Sequence, residues 1–159
     1  MFHTGFILMA EIRFYHLTRK SLEQVLPELL EKTIERGSKA VVMTGSLERT
    51  EALTQHLWTY NPNNFLPHGN AKDGHSELQP IWLTAEDERP NSAGFLFLTD
   101  GAVSAHLADY TRVMDIFDGN DPDALAAARR RWGENKKAGH QLTYWQQTDK
   151  GWADATPQS

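Results

Sequence analysis

The chain has 159 residues, no cysteine and a formal net charge of −5. This length fits one domain with a single buried core, and the lack of cysteine excludes disulfides and thiolate metal sites. No apolar stretch approaches the roughly 20 residues that a membrane-spanning helix needs, so we expect a cytoplasmic protein with no membrane partner.

The first half of the chain predicts alternating strands and helices, which is typical of a parallel sheet covered by helices. Ser21 and Gln24 have the spacing of a capping box, and the apolar residues after them recur at helical spacing as far as Gly37. Pro27 requires that this helix either kinks or starts later. In chain order the predicted elements are a strand at Glu11–Leu17, a helix at 21–37, a strand at 39–44 and a helix at 47–58.

The second half continues the pattern after a loop rich in proline and asparagine. It predicts strands at 80–84, 94–100 and 112–117, helices at 104–110 and 121–137, and a final strand at 140–147. The sequence therefore predicts a three-layer α/β fold, with a mostly parallel central sheet and helices on both faces. We expect a loose extension at 1–9, one domain at 10–148 and a frayed tail at 149–159.

Gly45 and Ser46 follow a predicted strand, which is where nucleotide-binding folds hold a phosphate. The segment lacks the glycine spacing and the lysine of a P-loop, and it also lacks the further glycines of a dinucleotide fingerprint. A tight turn with Ser46 as the N-cap of the next helix explains these residues better.

The seven histidines are dispersed. His68 and His75 flank Asp73 in a loop, but they lack a third ligand at a fixed offset, so we expect no bound metal. The residue types of a hydrolase triad occur in one short segment, at Ser104, His106 and Asp109. Because no nucleophile elbow is present and one short helix does not bring these groups face to face, we predict no catalytic site and no cofactor.

The segment 122–139 carries five cations and two anions, a net charge of +3, which leaves −8 for the rest of the chain. On a helix, Arg129, Trp132 and Lys136 share one stripe, while Leu125 and Ala128 can pack inward. A tryptophan beside cations suits an acidic peptide with an apolar anchor. Two alternatives are that Trp132 belongs to the core and that this surface binds nucleic acid directly.

A second apolar feature joins the end of a helix to the loop after it. Trp58 ends the predicted helix and Phe65 lies just past the loop. Such rings are either residues at the edge of the core or anchors of an interface, and composition does not separate the two.

Several short motifs, taken in order and at their spacing, resemble the chi subunit of bacterial DNA polymerase III over residues 10–147. The motifs are Phe14-Tyr15-His16-Leu17, Leu57-Trp58, Phe65-Leu66-Pro67-His68-Gly69, Pro80-Ile81-Trp82-Leu83, Arg129-Arg130-Arg131-Trp132 and Ala138-Gly139.

The resemblance implies a nucleotide-binding-like fold without a nucleotide site and a non-enzymatic role in the clamp-loader assembly. It implies two partners: the acidic C-terminal tail of single-stranded DNA-binding protein, and the psi subunit or a helicase. The link to DNA is then indirect. Tail-binding positions would be Phe117, Arg129, Arg130, Trp132 and Lys136, and psi-facing positions would be Trp58 and Phe65.

The chain departs from the family pattern at Gly133 and Glu134, where members can carry another cation and a small residue. The far end of the basic groove is therefore expected to differ in shape. The alternative functions are a divergent nucleotide-binding enzyme, since this fold type often hosts one, and a direct single-stranded DNA binder.

Overall fold

The computed structural model describes residues 9–158, and its core is one sheet of seven strands. The strands are β1 Glu11–Leu17, β2 Ala40–Met43, β3 Ile81–Thr84, β4 Phe95–Leu98, β5 Arg112–Asp118, β6 Gln141–Thr148 and β7 Gly151–Asp154. They lie in the order β3-β2-β4-β5-β1-β6-β7. All neighbouring pairs are parallel except β6 and β7, which are antiparallel.

Three α-helices cover the sheet: α1 Leu22–Glu35, α2 Leu47–Thr59 and α3 Pro122–Lys137. Because side chains alternate along a strand, each strand contributes to two separate cores. On one face, Leu26 of α1 and Leu53 of α2 share a core cluster with Tyr15. On the other face, Ala128 of α3 shares a cluster with Phe14. This arrangement confirms the predicted three-layer α/β class.

Helix α1 runs through Pro27 from its capping box onward, so the alternative of a start near Pro27 is wrong. At its beginning, the backbone N–H of Ser21 donates to Oε1 of Gln24 at 2.9 Å. Proline has no N–H, and therefore the carbonyl of Glu23 loses its helical partner. His56 of α2 supplies the missing donor, with its Nε2 2.6 Å from that carbonyl oxygen. The helix continues because a neighbouring helix satisfies the freed group.

Three sequence predictions need correction or qualification. The predicted helix at 104–110 contains only the 3-10 turn Leu107–Asp109. The tail predicted to fray from 149 instead forms β7, and the ring of Trp152 packs against Tyr15 at a centroid distance of 4.9 Å. Of the predicted loose extension at 1–9, all but Met9 lies outside the described residues. Within the described chain, no helix combines the length and the apolar character needed to cross a bilayer.

Candidate functional site

Helix α3 is fixed at both ends by local interactions. Oδ1 of Asp121 caps its N-terminus by accepting hydrogen bonds from the backbone N–H groups of Asp123 at 3.0 Å and Ala124 at 3.4 Å. Gly139 follows its C-terminus with a positive φ of 91°, a conformation that glycine adopts without strain. The buried methyl of Ala128 lets the helix lie close to the sheet.

Arg131 pins the middle of α3 to strand β5. Its Nε and Nη2 donate to the two carboxylate oxygens of Asp115 at 2.7 and 2.9 Å, and both side chains are buried. Burial raises the pKa of Asp115, and the bidentate guanidinium opposes that shift. Arg131 is one of the five cations of segment 122–139, but it adds no charge to the exposed side of the helix, because its guanidinium faces the sheet.

Five rings meet between α3 and the sheet, and we call them the aromatic cluster. Trp132 of α3 contacts Phe14 at 5.2 Å and Tyr144 at 5.7 Å between ring centroids, in both cases edge to face. His16 contacts Phe117 at 5.2 Å and Tyr144 at 5.8 Å. Phe14 and Phe117 are buried, whereas Trp132, Tyr144 and His16 are half-buried. Trp132 therefore packs against the core, as one alternative held, and it also reaches the surface.

Arg129 lies on the exposed side of α3, three residues before Trp132 and on the same side of the helix. It is close enough to act electrostatically on two rings of the cluster. Burial lowers the pKa of His16, and the guanidinium of Arg129 lowers it further. Burial raises the pKa of Tyr144, and Arg129 opposes that shift. A positive charge thus stands at the edge of a half-buried aromatic surface.

The other predicted cations differ in position. Lys136 is exposed one turn beyond Trp132, on the same stripe. Arg130 is exposed too, but two residues correspond to about 200° of helix rotation, so it lies nearly opposite Trp132. Among the described residues, no ion pair or ring contact joins Arg130 to the aromatic cluster. Arg129, Trp132 and the aromatic cluster define what we call the α3 surface.

His16 belongs to the aromatic cluster but is not among the site residues predicted from the sequence. Its Nδ1 lies 2.7 Å from the hydroxyl oxygen of Tyr144. A Cβ on Gly119 would stand 1.9 Å from Cδ2 and Nε2 of His16, so only glycine fits at 119 without displacing the ring. The signal available in the sequence was a histidine within the motif Phe14-Tyr15-His16-Leu17 of β1.

The rings of Trp58 and Phe65 form a second surface, far more exposed than the first. They are 43% and 70% exposed and lie 5.9 Å apart between centroids. Beneath them the buried ring of His68 contacts Trp58 at 4.0 Å. Both ring nitrogens of His68 lie at hydrogen-bond distance from carbonyl oxygens, those of Leu66 and Thr54. His68 therefore supports the Trp58–Phe65 surface from below.

The loops where related folds hold a phosphate are occupied by side chains of this protein. After β1, Oε1 of Gln147 accepts three successive backbone N–H groups, from Thr18 at 3.1 Å and from Arg19 and Lys20 at 2.9 Å. Consecutive N–H groups of this kind form an anion-binding nest. After β2, Ser46 caps α2 as predicted, and the backbone N–H of Gly45 donates to Asp100 at 3.2 Å. These four backbone N–H groups are therefore already bonded within the protein.

No group of three or more candidate metal ligands occurs within residues 9–158. What the fold does offer is an α/β protein with two separate aromatic surfaces, one of them bordered by arginine. These features define the class as an α/β protein with two candidate interaction surfaces.

Comparison with known proteins agrees with that class. Residues 9–143 match the family model described as "DNA polymerase III chi subunit, HolC". A protein of Rickettsia prowazekii (strain Madrid E), named "Probable DNA polymerase III subunit chi", is 32% identical over 108 residues, which cover 66% of each chain. The chain belongs to the DNA polymerase III chi subunit family.

Proposed function

We propose that the protein is a non-catalytic accessory subunit of the bacterial DNA polymerase III clamp-loader assembly. In this role it links the polymerase to single-stranded DNA-binding protein by binding the acidic C-terminal tail of that protein. The supporting observation is that the exposed Arg129 lies on the same side of α3 as the half-buried Trp132 and acts electrostatically on His16 and Tyr144 of the aromatic cluster. The proposal places the protein in the cytoplasm, where replication takes place.

The α3 surface suits both ends of such a ligand. A guanidinium donates well to a carboxylate, and Trp132 with Tyr144, packed over the buried Phe117, offers apolar area for the terminal side chain. The exposed Lys136 extends the positive charge by one turn. Affinity should be roughly micromolar, about 8 kcal/mol, because only a short peptide is bound.

The test is a titration of a fluorescently labelled tail peptide against the wild type and Arg129→Ala. Loss of a charge-assisted hydrogen bond should cost about 1.5–3 kcal/mol, or roughly 10- to 150-fold in Kd. Arg130→Ala is the matched control, because it removes the same charge from the far side of the helix and should have a much smaller effect. Equal affinity of Arg129→Ala and the wild type would contradict the proposed role.

An oligonucleotide of the same net charge as the peptide serves as a second ligand. Stacking on single-stranded DNA needs an open ring face, and the ring of Trp132 is half-buried against Phe14 and Tyr144. We therefore expect weak oligonucleotide binding. Binding of the oligonucleotide that is tighter than that of the peptide would favour the DNA-binding alternative.

We further propose that the Trp58–Phe65 surface binds the psi subunit or a helicase. Large exposed rings that touch one another are typical anchors of a protein interface. The variant Trp58→Ala with Phe65→Ala should lose this partner in a pull-down and still bind the tail peptide. If the double variant retains the partner, the surface has another role.

A further inference from the structure

His16 offers a hydrogen-bond donor that the fold itself leaves unused. Its Nδ1 is engaged by the hydroxyl of Tyr144 at 2.7 Å. When that hydroxyl donates to Nδ1, the neutral ring carries its proton on Nε2. Within residues 9–158, Nε2 has no hydrogen-bond partner, and it is not among the buried unsatisfied atoms. The nitrogen is thus open to an incoming acceptor.

Along its Cδ2–Nε2 edge the ring lies against the backbone of Gly119, so no side chain covers this edge and Nε2 is not fully buried. Gly119 borders it, and a Cβ there would stand 1.9 Å from Nε2. On its other sides the ring contacts Phe117 and Tyr144. The packing holds the imidazole in one orientation within the α3 surface, and leaves one polar atom available there.

We propose that His16 is a specificity-determining contact of the α3 surface, in which Nε2–H donates a hydrogen bond to a carboxylate of the bound acidic tail. This inference rests on the proposed function. It distinguishes the acidic tail from an uncharged peptide of the same length with an amidated C-terminus, because only the former offers carboxylate acceptors to both Arg129 and His16.

The contact has a pH dependence whose sign follows from the groups facing the ring. Arg129 of α3 lowers the pKa of His16, Asp118 at the end of β5 raises it, and Tyr144 of β6 hydrogen-bonds the ring. A ligand carboxylate opposes the effect of Arg129 and therefore raises the pKa of His16 on binding. Binding then takes up a proton, so that affinity increases as the pH falls through this range.

The experiment is a set of titrations of the labelled tail peptide at pH 8, 7 and 6. One unit of pKa shift on binding gives at most about a tenfold gain in affinity, and because the pKa of free His16 is lowered, the wild type should bind roughly two- to tenfold more tightly at pH 6 than at pH 8. His16→Gln places an amide N–H near the position of Nε2 without titrating, so it should bind as the wild type does at pH 8 and show little change with pH. His16→Phe should bind more weakly throughout. His75→Asn, in an exposed loop, is the control that keeps the pH dependence.

A second measurement does not depend on any variant folding. The ring resonances of His16 in the NMR spectrum of the wild type should report a higher pKa with the peptide than without it. The inference is overturned if the peptide binds, the pKa of His16 is the same with and without it, and His16→Gln keeps the pH dependence of the wild type. If the wild type binds no peptide at any pH, the proposed function itself fails.

Discussion

The α3 surface and the Trp58–Phe65 surface both present aromatic rings, but they hold them differently. In the α3 surface, Trp132 is half-buried against Phe14, and the helix beneath it is fixed by the buried Arg131–Asp115 pair. In the second surface, Phe65 is 70% exposed and stands beside Trp58. The α3 surface combines a positive charge with firmly packed aromatic rings, whereas the Trp58–Phe65 surface offers apolar area alone.

This difference indicates two kinds of recognition. A ligand of the α3 surface gains from a charge-assisted hydrogen bond and depends on a fixed geometry. A ligand of the Trp58–Phe65 surface gains mainly from removing exposed rings from water. The two surfaces should therefore respond separately to substitutions and to solution conditions.

The largest expected effect concerns the buried pair beneath α3. Asp115→Ala leaves the guanidinium of Arg131 buried without a partner, which should cost about 3–5 kcal/mol of the free energy of unfolding. Chemical denaturation measures this loss. Where the variant is still folded, tail affinity should fall while binding at the Trp58–Phe65 surface is unchanged. The double variant Asp115→Leu with Arg131→Met removes both charges and should restore most of the free energy of unfolding. If Asp115→Ala alone does not destabilise the fold, the pair does not have the role assigned to it.

A smaller effect is expected at Gly119, which borders the ring of His16 in the α3 surface. A methyl group there collides with the ring of His16, and overpacking of this kind costs about 1–3 kcal/mol. Gly119→Ala should therefore weaken tail binding and lower the unfolding free energy. Gly133→Ala is the matched control, because its Cβ would meet nothing within 4 Å. Since alanine favours a helix, that control should gain about 0.5–1 kcal/mol; similar behaviour of the two variants would argue against the collision.

The salt dependence of binding should distinguish the two surfaces without any substitution. Raising the salt from about 0.05 M to about 0.5 M shortens the screening length from roughly 14 Å to roughly 4 Å. Peptide binding to the α3 surface should weaken several-fold, whereas the partner of the Trp58–Phe65 surface should bind almost as before. Isothermal titration calorimetry of each partner at both concentrations makes the comparison, and an equal salt response would remove the distinction.

The smallest expected effect is the pH dependence of stability that His16 contributes. Its pKa is lowered in the folded protein, so the unfolded chain binds more protons in the range just below the ordinary value of about 6.5. Stability should therefore decrease slightly as the pH falls from about 7 to about 5. In His16→Gln this part of the decrease should disappear, as measured by urea denaturation at each pH. A wild-type slope in that variant would assign the effect to other groups.

The elements of the sheet and its three main helices were predictable from periodicity and turn residues. Strand β7 was not, because the run Gly151–Asp154 is short and mostly polar, and only its pairing with β6 and the packing of Trp152 make it a strand. The segment before Tyr110 had helical residues but was too short to form more than the turn Leu107–Asp109.

The α3 surface was only partly predictable from the sequence, because, as for β7, contacts between different elements determine it. Helical spacing placed Arg129 and Trp132 on one stripe, and it also sets Arg131 three residues after the inward-facing Ala128, but it does not reveal the partner that allows a guanidinium to be buried. Its partner, Asp115, lies 16 residues away on another element. A charged residue inside the apolar strand β5 was the available signal, because a buried carboxylate requires a partner. The contacts of His16 with Tyr144 and Gly119 likewise join distant parts of the chain.

The nest after β1 has a further consequence. Gln147 acts there as an internal ligand: its amide oxygen is tethered beside the three N–H groups of Thr18, Arg19 and Lys20. A tethered group competes at an effective concentration on the order of millimolar or more, and it cannot diffuse away. Free anions must displace a competitor that is present whenever the protein is folded. The loop is thereby saturated by the chain's own side chain, and its shape is independent of the metabolites around it.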